Sequence, residues 1–92
     1  MLDGTQPIGS VNWREHVRVE GRVRTVRVQP MSGNASLELV LEDHSGAISV
    51  VFLGRPRLGG VDVGTRMHVE GTAGMHHGRL AILNPVYKLL IT

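Results

Sequence analysis

Leu37–Leu53 reads LELVLEDHSGAISVVFL, two alternating runs joined by Asp43-His44-Ser45-Gly46. Leu37, Leu39 and Leu41 share one face of the first run, and Ile48, Val50 and Phe52 share one face of the second. Period-two alternation on both sides of a turn rich in Asp, Ser and Gly predicts a β-hairpin. A short phrase recurs on either side of it: Arg18-Val19-Glu20-Gly21 before, His68-Val69-Glu70-Gly71 after. Each places a glycine where a strand would otherwise continue, which marks a bulge or a sharp bend. Two coiled strands flanking a hairpin point to a small closed barrel.

Working outward, the first strand is expected over about His16–Gln29. Its inward positions are Val17, Val19, Gly21 and Val23, after which the phase moves by one to Val26 and Val28. That change needs an extra residue near Arg24-Thr25, a β-bulge. Pro30–Asn34 reads as a loop, Ser36–Glu42 as the second strand and Ala47–Leu53 as the third. Gly54–Gly60 interrupts the sheet and has room for at most a short helical turn. The fourth strand is expected over Arg66–Ala73, a hairpin loop over Gly74–Gly78, and the fifth strand over Arg79–Leu90. Pro85 inside that last strand requires an edge position or a bulge. Residues 1–15 read as a loose lead-in and 16–92 as one domain. The expected core is Val19, Val26, Leu39, Leu41, Ile48, Val50, Phe52, Val69 and Ile82.

Composition limits the functions available. Of 92 residues, 41% are hydrophobic but only Trp13, Phe52 and Tyr87 are aromatic, so aliphatic side chains must fill the core. Twelve glycines and four prolines with no long helical period favour short strands and tight turns. The absence of cysteine excludes disulfides and thiolate metal sites. No signal-like or membrane-spanning stretch occurs, so the cytoplasm is the default location. No phosphate loop, paired carboxylates or nucleophile elbow appears, and neither an enzyme nor a cofactor is expected.

The order of strands resembles the OB-fold, and the wording is similar to tRNA-anticodon-type nucleic-acid-binding OB domains and to the wedge domain of the RecG helicase. The residues that carry the likeness are Leu39-x-Leu41-x-Asp43-x-x-Gly46-x-Ile48-x-Val50-x-Phe52, Val63-Gly64-x-x-Met67-x-Val69-x-Gly71 and Asn84-Pro85-x-Tyr87. The resemblance covers roughly residues 16–90, and its motifs specify the fold more than the ligand. The resemblance implies a five-stranded antiparallel Greek-key barrel. It also implies single-stranded nucleic acid held across the second and third strands and the adjoining loops, as in DNA repair, recombination or tRNA-type recognition. With no catalytic segment attached, the chain is expected to be a stand-alone binding module. The alternative is a barrel that serves a protein partner or a homo-oligomer.

Charge decides which residues could take that ligand. Net charge is only +2, but nine of the ten basic residues are arginine and five of those lie between Arg14 and Arg27. The hairpin register puts Arg27 opposite Glu38 and Arg22 opposite Glu42, which predicts two cross-strand ion pairs and leaves Arg24 without an acidic neighbour. Arg24, Arg55, Arg57 and Arg79 are therefore the candidate phosphate contacts. His76 and His77, in the loop between the last two strands, are candidate donors to phosphate or base. Adjacent strand residues point to opposite faces, which argues against a metal site there. Val51, with Val40 and Leu53, forms an outward patch that could lie under bases or against a partner. No aromatic side chain falls on that face. Trp13 either caps the open end of the barrel or stacks a base, and the cap is the expected role. Binding of modest affinity, dominated by the backbone, follows.

Overall fold

The alternation on either side of Asp43 folds as a hairpin. The computed structural model describes residues 4–31 and 34–90. Its strands are β1 His16–Met31, β2 Asn34–Asp43, β3 Gly46–Phe52, β4 Arg66–His76, β5 Arg79–Leu83 and β6 Val86–Leu90. β1 pairs with β2, β2 with β3, β3 with β5, β5 with β4, and β4 with β1, closing a ring of five strands; β6 pairs with β4. Every junction is antiparallel except β3–β5. This is the all-β OB-fold that the resemblance implied.

Two local devices let β1 serve both halves of the ring. The first is a bulge: Val23 opposes Leu41 and Thr25 opposes Val40, so Arg24 is the inserted residue, as the change of phase required. The second is Gly21. A Cβ there would sit 2.6 Å from the carbonyl oxygen of Glu42 and 2.9 Å from Cγ of Leu41. Only glycine lets the strand bend this closely over β2. Gly71, at the equivalent place in the second copy of the phrase, is crowded by Ile82 and Pro85.

The expected core is buried except at one position. Val19, Leu39, Leu41, Val50, Val69 and Ile82 are fully enclosed, with Phe52 and Ile48 nearly so. Val26 is instead 39% exposed and Val28 53% exposed. Beyond Val23, β1 has left β4 and is paired on one edge only, so the described residues leave the inward face of its distal half largely uncovered.

Three further expectations change. The fifth strand is broken at Asn84-Pro85 into β5 and β6, with Asn84 in the left-handed region at φ 47°. The proline is accommodated by ending one strand and starting another. The break is clipped to β3: Asn84 N–H donates to the Val51 carbonyl at 2.7 Å, and Asn84 Oδ1 accepts from Leu53 N–H at 2.8 Å. Among the described residues the one helical element is a 3-10 turn at Ile8–Ser10, ahead of β1, while the β3–β4 connection is held by turns and buries Leu58. The strands of the first hairpin run on to Met31 and resume at Asn34, inside the stretch read as a loop. Ser32 and Gly33 of that loop lie outside the described residues, as do Met1–Asp3.

The segment read as a loose lead-in is docked from Gln6 onward, where Gln6 N–H donates to the Arg18 carbonyl at 2.9 Å. Ile8 and Val11 are buried in the core. Ile8 N–H donates to Asp43 Oδ2 at 2.9 Å, and Gly9 N–H to Ser45 Oγ at 2.8 Å. Asp43 Oδ1 meanwhile accepts from the backbone and hydroxyl of Ser45 and from Gly46 N–H. Partial burial alone would raise the Asp43 pKa; the bonds from Ser45, Ile8 and Gly46 outweigh it and hold the carboxyl below its ordinary range. One carboxylate thus closes the β2–β3 turn and anchors the N-terminal segment.

Candidate nucleic-acid interface

The register defines what the outer face of the sheet presents. One row runs Thr25, Val40, Ser49, Ala81, Gly74 across β1, β2, β3, β5 and β4. The next runs Arg27, Glu38, Val51, Leu83. On the other side of the first row lies a shallow depression of about 340 Å³ lined by Arg24, Val40, Ala47, Ile48, Ser49, Arg79 and Leu80. Val40, Ala47, Ile48 and Leu80 supply its apolar lining, and its two cations stand on different strands. Ser49 is only 8% exposed, and its hydroxyl makes no hydrogen bond among the described residues.

Arg24 and Arg79 are thus brought together, as two of the arginines expected to meet phosphate. His76 joins them, being the cross-strand partner of Arg79. His77 follows in the two-residue turn with Gly78, both at positive φ (52° and 76°), the geometry of a tight hairpin. That turn folds the His77 ring back onto His76 at 4.2 Å between centroids, so the two imidazoles do not diverge as neighbours on a flat strand would. No group of three or more metal-ligating side chains occurs among the described residues.

Arg55 and Arg57 are placed elsewhere. Both are exposed on the β3–β4 connection just past Gly54, whose N–H donates to Ser36 Oγ at 3.3 Å. That is the Phe52 end of β3, whereas the depression is lined by Ala47, Ile48 and Ser49 toward its Gly46 end, about 10–17 Å from Phe52 by strand rise. Val51 is 1% exposed and offers no contact surface. It sits between Glu38 and Leu83 on the middle strand of the face, where neighbours on both sides enclose a side chain that alternation alone assigns to the outside.

The ion pairs differ from those the register suggested, although the register itself is as expected. Arg22 opposes Glu42 and Arg27 opposes Glu38. Glu42 is instead reached by Arg24, with one contact at 3.5 Å between exposed side chains, and Glu38 accepts from Gln29 at 3.1 Å. The bulge turns Arg24 toward Glu42, which could not be read from pairing alone. A single long contact of this kind contributes little and is readily exchanged for a stronger anion. Arg18 is engaged by Glu70 at 3.1 Å and Arg66 by Glu20 at 2.8 Å. The hydrogen bond from His16, aided by Arg18, holds the Glu70 carboxyl below its ordinary pKa. Among the described residues Arg22, Arg27, Arg55, Arg57 and Arg79 form no ion pair.

A second cavity, of about 540 Å³, lies apart from this face, between Thr5–Pro7 and Gly21–Arg22. Glu20, Glu42 and Asp43 wall it beside Arg22 and Arg66. Three carboxylates against two arginines make it a poor seat for phosphate.

The sequence matches a family described as the OB-fold nucleic acid binding domain, of tRNA anticodon type, over residues 17–90. The chain belongs to this family. No curated protein matches the sequence. Among solved structures, the p204 HINb domain superposes with a TM-score of 0.73 at 14% identity, covering 94% of this chain and 47% of that one. This OB-fold chain therefore spans about half the length of that neighbour, and at such low identity the likeness shows the fold alone. Among the described residues no helix is long and apolar enough to cross a membrane.

Proposed function

We propose that the chain is a binding module for single-stranded nucleic acid. The strand would lie across the outer face of β2, β3 and β5, with a phosphate held between Arg24 and Arg79. The observation that carries this reading is the placing of those two arginines around one shallow depression, on the face that OB-folds use for oligonucleotides. Family membership supports the ligand class. Val40, Leu80 and the Ser49 hydroxyl are the groups a base could rest on or bond to. His76 and His77 supply further donors at the hairpin tip. Arg55 and Arg57 would meet the strand only if it ran the length of β3.

With no aromatic side chain in the depression, affinity is expected to be modest, steeply dependent on salt and tolerant of sequence. Labelled single-stranded DNA, duplex DNA and RNA titrated at two salt concentrations test this. Arg24→Ala with Arg79→Ala should weaken binding and flatten the log–log salt slope by about 0.7 for each phosphate no longer neutralised. Arg55→Ala with Arg57→Ala should do less. An unchanged slope in the first double variant would move the site elsewhere. Absence of binding at low salt would favour a protein partner, for which exposed Val26 and Val28 on the free edge of β1 are the supporting observation.

A further inference from the structure

We infer that Trp13 and Arg14 form a stacking platform for a nucleobase, extending the nucleic-acid path from the arginine depression across the β4–β5 hairpin. The inference rests on the proposed function and adds a contact outside its face.

Trp13 does not cap the barrel: it is 56% exposed, in a chain whose other two aromatic rings pack against each other at 5.5 Å. The Arg14 guanidinium lies over the Trp13 indole at 4.2 Å from the ring centroid. Cation–π contact with one face of the indole leaves an aromatic surface that already carries positive charge beside it. That combination suits a base attached to a phosphate.

The platform is held in place at a cost. Arg14 adopts φ 70°, the left-handed region that side chains with a Cβ avoid. The backbone around it is pinned: Arg14 N–H donates to the Ala73 carbonyl at 2.8 Å, and Ala73 N–H donates to the Glu15 carbonyl at 2.9 Å. Glu15 also closes the turn ahead, its carboxylate accepting from Asn12 N–H at 3.1 Å. Strain retained in a pinned segment that presents an exposed aromatic ring calls for a use other than packing.

Position ties the platform to the proposed site. The two bonds to Ala73 place Trp13 alongside β4 on the edge away from β5, beside the stretch that leads to His76 and the turn. Arg79 is on the other strand of the same hairpin. By strand spacing, the Trp13 backbone stands about 15 Å from β3. A strand leaving Arg79 over the hairpin tip therefore meets Trp13 next.

Trp13 is the sole tryptophan in the chain, so its emission reports this location alone. The test follows tryptophan emission and anisotropy of a labelled oligothymidylate of about 12 nucleotides, within the span one OB-fold covers, in the same low-salt titration. The expected result is quenching with the same midpoint as the anisotropy change. Trp13→Ala should weaken binding about fivefold or more, and Trp13→Phe should recover most of it. Thermal unfolding of both variants should match the parent, since the side chain is exposed. If anisotropy shows binding while Trp13→Ala binds like the parent, the platform is refuted, whether or not emission changes, and the arginine site stands. If the oligonucleotide does not bind at low salt, both readings fall and the exposed indole is left to a protein partner.

Discussion

The two halves of β1 carry the same alternation and meet opposite fates. Val17, Val19 and Val23 in the first half are 1%, 0% and 1% exposed; Val26 and Val28 in the second are 39% and 53% exposed. The partners of the distal pair are not exposed: Leu39 opposite Val26 is at 0%, and Leu37 opposite Val28 is at 3%. One row of the sheet thus passes from core to solvent in a single strand spacing. The difference lies in what flanks each half. The first half pairs with β4 and is covered by the N-terminal segment at Ile8. The second is an edge with β2 on one side. Alternation states which face a side chain takes, and only tertiary neighbours decide whether that face is a core.

The sharpest test of that difference compares partners in one row. Leu39→Ala should destabilise by about 2–5 kcal/mol, because it empties an enclosed site. Val26→Ala, directly across from it, should lose no more than about 1 kcal/mol. Denaturant midpoints measure both. Equal losses would mean that the distal half of β1 is covered in solution, by a second copy or by a partner.

Gly21 tests why the first half can be covered at all. Alanine there would bring a Cβ to 2.6 Å from a β2 carbonyl oxygen and about 3.0 Å from Cδ1 of Ile8. Paired strands cannot retreat by much, so a loss of about 1–3 kcal/mol is expected, with the N-terminal segment loosened. Protection of the Ile8 and Gly9 amides from hydrogen exchange should fall further than that of the β2–β3 ladder. Uniform loss across both would show that glycine serves the sheet alone.

These contrasts mark what the sequence could and could not disclose. The hairpin, the bulge at Arg24 and the register of β1, β2 and β3 were legible because two apolar periods and one slip in phase admit few pairings. The break at Pro85 was half legible: proline excluded a continuous ladder, but Asn84 bonding to β3 is a tertiary event. The docking of Ile8 was invisible, since Gln6–Val11 has turn composition and no period, and its anchor Asp43 looked like an ordinary turn residue. At the candidate site, Arg79 and Arg24 could be nominated from charge, yet not their meeting across a depression. Val51 was assigned outward correctly in phase and is still buried, because the middle strand of a curved face is enclosed from both sides.

Asp43 supplies a smaller and pH-dependent effect. Asp43→Ala removes the acceptor for Ile8 N–H and for the turn, and should cost about 0.5–2 kcal/mol, as loss of a cap does. The folded pKa of Asp43 lies below its unfolded value, so its contribution is complete above the unfolded value near 4 and is lost as pH falls through the folded one. The gap in melting temperature between parent and variant should therefore narrow only in acid, below about pH 4. A gap that narrows near neutrality would assign the effect to a histidine.

The smallest expected change falls where the comparison began. Val28→Thr keeps the β-branch, so strand propensity is preserved, and exchanges a methyl for a hydroxyl on a side chain 53% exposed. If the distal half of β1 is a solvent-facing edge, stability should stay within about 0.5 kcal/mol of the parent. In a covered core the same exchange would leave an unpaired hydroxyl and cost about 1–3 kcal/mol. Running the measurement at two protein concentrations separates the remaining cases. An edge bare in solution gives the same small value at both. An edge covered by a second copy gives a loss that grows with concentration, because association then stabilises the parent and not the variant.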